Sequence, residues 1–66
     1  MAILKVIEVL ANSDVSWEDA TKNAVSQASK SVQNIRSVYV QDQSAIVNDG
    51  AVTEFRVNVK ITFEVK

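Results

Sequence analysis

The chain has 66 residues, with seven Lys or Arg against eight Asp or Glu, a formal charge of −1, and neither Cys nor His. This composition excludes disulfide staples, thiolate and imidazole metal ligands, Ser-His and Cys-His nucleophilic pairs and a histidine pH switch. The scattered cations equally exclude the clustered phosphate neutralisation of a general nucleic-acid binder.

With 47% hydrophobic residues, one Gly and no Pro, residues 1–66 read as one ordered domain and not as a disordered tail. A chain this short buries only about 60% of its unfolded surface, so an unstapled core needs self-association or an unusually idealised packing. Self-association is the expectation.

Ile3-Leu-Lys-Val-Ile-Glu-Val-Leu10 is rich in β-branched residues and too short for a typical helix, which predicts a first strand over 3–10. Lys5 and Glu8 interrupt this apolar run, and no small-residue cleavage site follows it. It is therefore expected to be neither signal peptide nor membrane span, and the expected compartment is the cytoplasm. Ala11-Asn12-Ser13-Asp14 reads as a polar loop. Ser16-Trp17-Glu18-Asp19 then has the order of a capping box with Asp in the usual Glu place, which starts a helix at Ser16.

Trp17, Ala20, Ala24, Ala28, Val32 and Ile35 recur at intervals of three and four. They predict an amphipathic helix of roughly four to five turns with a narrow apolar stripe. The alanines allow close approach to a sheet while burying little area. Trp17 reads as a core anchor beneath the helix start.

Residues 37–47 form a second strand, and Asn48-Asp49-Gly50 supplies a two-residue primed turn. From Ala51 to Val65 the odd positions are almost all apolar and the even positions mostly polar, the pattern of a long strand with one dry face. With Asn48 opposite Ala51, the register puts Val38, Val40 and Ile46 on the core side with Phe55, Val57, Val59 and Ile61. Ser37, Tyr39, Gln41 and Gln43 then lie on the other face opposite Thr62, Lys60, Asn58 and Arg56.

The expected fold is α+β, a single β-α-β-β domain whose three-stranded antiparallel sheet, order 1-3-2, wraps one helix. One helix cannot cover strands of such length, and Phe63 and Val65 are expected to stay partly exposed in a lone subunit, which again points to assembly. An enzyme is not expected: isolated carboxylates such as Asp42 or Glu54 have no acid-base complement.

The segments Lys5-Val-Ile-Glu-Val9, Ser16-Trp-Glu-Asp-Ala20 with its alanine-striped helix, Asn34-Ile-Arg36 and Gly50–Phe63, in this order and spacing, resemble the dodecin family nearly end to end. The resemblance implies a homo-oligomer of twelve copies forming a hollow shell, without catalysis, with paired flavins (FMN, FAD or riboflavin) bound near two-fold axes for storage or protection. In flavin-binding members a Trp stands at the place of Ser37 and a Gln at the place of Arg56. The chain is thus most similar to the branch lacking that Trp, which includes the calcium dodecins, and flavin is expected to bind weakly.

The candidate binding residues are Ser37, Tyr39, Asp42, Gln43 and Arg56. Tyr39 supplies an aromatic platform one strand step from the missing indole, or an ordinary interface tyrosine. Arg56 reads first as the ion-pair partner of a neighbouring acid and second as a planar group that stacks on a ligand. Gln41, Gln43 and Asn58 can hydrogen-bond a heterocycle edge, or simply face solvent. Calcium requires several oxygens, and a site drawing on Asp14, Asp42, Asp49 or Glu54 must be assembled from symmetry-related copies or completed by water, which predicts weak binding. A structural or partner-binding assembly that has lost its ligand site is the alternative function.

Overall fold

The longest alternating segment forms the middle of the sheet. A computed structural model of the chain describes residues 2–66; Met1, which the sequence assigns to the same domain, lies outside the described residues. In chain order the elements are β1 (Ile3–Ser13), α1 (Trp17–Ala28), β2 (Ile35–Asn48) and β3 (Ala51–Val65). The strands pair antiparallel in the order β1-β3-β2, as the alternation and the short turn require. No helix among the described residues is long and apolar enough to cross a membrane.

The core lies between α1 and the dry face of β3. Val57, Val59 and Ile61 are fully buried there with Ala20, and Ala24 is nearly so. Ile7, Val9 and Ala11 of β1 stand opposite Ile61, Val59 and Val57 and complete the same face. The alanines let the helix backbone sit close to the valines, so the core is tightly packed and small. Twelve helical residues span about 18 Å and the fifteen of β3 about 50 Å, so the β2–β3 hairpin projects well beyond its cover. Phe63 is half-buried and Val65 exposed, as expected of a lone subunit.

The helix starts where the capping residues put it. Ser16 is the N-cap, and its hydroxyl accepts from the Asp19 backbone N–H at 2.9 Å. The reciprocal half of the box is built differently: the Asp19 carboxylate accepts from the Ser13 hydroxyl at 2.6 Å, and the Ser13 oxygen accepts from the N–H groups of Val15 and Ser16. Ser13 is buried in this role, and β1 therefore runs three residues further than predicted instead of ending in a loop at Ala11.

The helix also ends earlier than the apolar stripe suggests. It stops at Ala28, after which the Lys30 and Ser31 N–H groups close tighter turns onto the Gln27 and Ala28 carbonyls. Serines at 29 and 31 favour turn geometry over helix. Asn34 takes a left-handed φ of 64°, and the chain then reverses into β2. Ile35 is consequently a strand residue opposite Phe63 and not the last rung of a helix face.

At the hairpin tip Asp49 and Gly50 both have positive φ, 56° and 77°, the primed turn read from the sequence. Asn48 pairs with Ala51, as predicted, but the register does not stay constant. It shifts by one between Ile46 and Val47, shifts back between Val40 and Asp42, and shifts again between Ile35 and Ser37. Between the first two bulges Asp42, Gln43, Ser44, Ala45 and Ile46 lie opposite Asn58, Val57, Arg56, Phe55 and Glu54. Three expected placements are overturned: Ile46 leaves the core side, where Ala45 replaces it, Gln43 moves to the helix side, and Gln41 becomes the unpaired bulge residue while Asp42 stands opposite Asn58.

Candidate functional site

The face of the sheet turned away from α1 presents its side chains in cross-strand rows. These run Val6–Thr62–Ser37, Glu8–Lys60–Tyr39, Leu10–Asn58–Asp42 and Asn12–Arg56–Ser44 across β1, β3 and β2. Ser37, Tyr39, Asp42 and Arg56 therefore share one face, and all four are exposed. Gln43, opposite Val57, lies on the other side, and Gln41 is the unpaired residue of the bulge. With Val40 and Asp42 these two glutamines line a shallow concavity of about 460 Å³ where the strand bends.

Sharing a face does not bring these residues into one contact. The rows holding Ser37 and Arg56 are centred on Thr62 and Arg56, six residues apart on β3, which is about 20 Å of extended chain. No single planar ligand touches both within one subunit. Asp42 is central instead, one row from Tyr39 and one row from Arg56.

The electrostatics of the middle rows are set by where Arg56 turns. Its Nε donates to the Asn12 side-chain oxygen at 2.9 Å, and within the described residues it makes no ion pair. Asn12 on the extended β1 holds the guanidinium toward that edge. Asp42 is left without a cationic partner among the described residues. Next to it Asn58 Oδ1 is buried and finds no hydrogen-bond partner among the described residues. Side chains directly opposite on antiparallel strands have Cβ atoms about 5 Å apart, so Asp42 and Asn58 stand side by side on this face.

Calcium takes six to eight oxygen ligands, and no group of three or more acidic side chains is brought together among the described residues. Asp42 and Asn58 can hold part of such a shell, to be completed by water or another subunit. For a flavin ring the fit is poorer, since Ser37 offers no stacking surface and only Tyr39 is aromatic on this face.

Asn12 and Ser44 were missed in the sequence. The polar run Ala11–Asp14 reads as a loop and hides Asn12, although Glu8, Leu10 and Asn12 continue the period-two outward row. Ser44 was hidden by the bulge. A second concavity, a groove of about 440 Å³ between β1 and α1, is lined by apolar residues such as Ile7, Val9 and Val32 together with Asn12, Asn23 and Gln27, and carries no ionisable side chain.

The comparisons with known proteins agree with this architecture. The dodecin family model matches residues 3–66. The calcium dodecin of Mycobacterium tuberculosis is 32% identical over all of this chain and 93% of its own length. A crystal structure of calcium dodecin from the same organism, described as calcium-chelating with a novel calcium-binding site, superposes with a TM-score of 0.85 at 31% identity, over 97% of this chain and 91% of that one. Dodecin from Streptomyces coelicolor superposes with a TM-score of 0.94 at 26% identity, over 98% and 93% of the two chains.

Proposed function

Because the chain belongs to the dodecin family, we propose that it is a non-catalytic binding protein that assembles with copies of itself into a closed shell, and that it takes up calcium where the helix-free sheet faces meet. The observation that carries this reading is the pair formed by Asp42 and Asn58: among the described residues Asp42 has no cationic partner and the buried oxygen of Asn58 has no hydrogen-bond partner. Two hard oxygens on a rigid central row are a partial calcium shell, and a second copy or water supplies the rest. The similarity to calcium dodecin supports the same ion. The family likeness supports twelve subunits, and the exposed Leu4, Val6 and Leu10 on β1 give the assembly apolar area to bury. Flavin is a weak second ligand in this reading.

Native mass spectrometry at micromolar concentration, followed by calorimetry with calcium chloride and with riboflavin, tests the proposal. A multi-subunit species that binds calcium at about millimolar strength, typical of weak oxygen-ligand modules, is the expected result. A monomer, or an assembly giving no calcium heat, would overturn it. Assembly without any ligand would instead support a purely structural shell, a reading favoured by Ser37 in the place of the stacking indole.

A further inference from the structure

The two bulges that bracket β2 residues 42–46 decide which side chains the candidate face displays. Were the turn register continued without them, Gln41 and Gln43 would stand opposite Asn58 and Arg56, and Asp42 would point to the helix side. The shift reverses this, so that Asp42 and Ser44 occupy those places. The local sequence does not select between the two registers. Gln41-Asp42-Gln43-Ser44 is polar throughout, and a strand segment without alternation leaves its register weakly specified.

The selecting contact comes from the helix. The Trp17 indole N–H donates to the Ser44 backbone carbonyl at 2.8 Å. The ring meets Phe55 edge-on, with centroids 4.9 Å apart and planes at 73°. Opposite Phe55 stands Ala45, next in the chain to the carbonyl that accepts the indole N–H. Successive carbonyls of a strand point to opposite edges, so a slip of one residue would turn the Ser44 carbonyl away from Trp17 and put Ser44 opposite Phe55.

We propose that Trp17 is a positioning residue for the binding face: its indole N–H locks β2 residues 42–46 in the shifted register and thereby presents Asp42, in place of Gln41 and Gln43, beside Asn58. The functional weight of this lock rests on the calcium reading above, but the register itself is measurable without any ligand.

The chain has no cysteine, so engineered pairs report register cleanly. Ser44→Cys with Arg56→Cys joins residues opposite in the shifted register, and Gln43→Cys with Arg56→Cys joins those opposite in the continuous one. Oxidation under native conditions is read as the loss of two hydrogens from the denatured chain mass. The first pair should oxidise faster, and Trp17→Phe, which keeps a ring and removes the donor, should lower the ratio of the two rates by about two- to tenfold, the range for one net hydrogen bond. An unchanged ratio would overturn the proposal, whereas absent calcium binding with a changed ratio would overturn only the calcium reading. Should Trp17→Phe fail to fold, hydrogen exchange on the unsubstituted assembly decides. The single indole N–H should exchange slowly, in step with the backbone amides of 42–46, and rapid indole exchange beside protected amides would refute the lock.

Discussion

Replacing Asn58 with leucine separates stability from binding at the candidate face. Asn58 sits on β3 between Leu10 and Asp42, and its buried carboxamide oxygen has no partner among the described residues. An orphaned buried acceptor costs about 1–3 kcal/mol, whereas an apolar group of similar shape carries no such penalty. Leucine also adds a contact to Leu10, so Asn58→Leu is expected to stabilise the fold by about 1–2 kcal/mol. With a urea m-value near the low end for a small chain, about 1 kcal/mol/M, the unfolding midpoint should rise by about 1–2 M. Wild type and variant must be compared at equal protein concentration, because assembly makes the midpoint concentration-dependent. The same substitution removes one of the two oxygens offered to calcium, and the binding heat should vanish. A lower midpoint with calcium binding intact would refute the reasoning on both counts, since it would mean that Asn58 is hydrogen-bonded in the assembled protein and serves structure alone.

Three further outcomes follow from the same geometry. Asp42→Asn keeps shape and removes charge, so calorimetry should record loss of calcium binding with the unfolding midpoint nearly unchanged. Ser37→Trp combined with Arg56→Gln should tighten flavin binding about five- to hundredfold, the worth of one stacked aromatic face, as read by quenching of flavin fluorescence; equal affinity in wild type and variant would place the flavin elsewhere. Ala24→Leu should destabilise by about 1–3 kcal/mol in chemical denaturation through overpacking, because Ala24 is only 3% exposed beneath β3; a neutral effect would show that the helix stands off from the sheet.

Much of this protein is written locally in its sequence. The alternation of Ala51–Val65 sets a long strand and its dry face, Asp49-Gly50 supplies the positive φ angles of the turn, and Ser16 caps the helix; each depends on neighbours within a few residues. Strand order follows as well, since a helical crossover and a tight hairpin permit an antiparallel sheet only with β3 in the middle. The helix end, the bulges and the hydrogen-bond partner of Arg56 were settled by contacts distant in sequence. Val32 and Ile35 carry on the apolar period, yet Ile35 is held in β2 opposite Phe63, and a residue cannot serve both elements. Gln41 to Ser44 have no polarity contrast to choose a face, so the choice passed to Trp17, 27 residues away from the carbonyl it binds. Arg56 was free to seek an acid until Asn12, 44 residues distant, extended β1 to its side. Short-range periodicity determined the elements because backbone geometry enforces it residue by residue, while the display of Asp42 on the candidate face depends on long-range hydrogen bonds that form only once the sheet and helix have met.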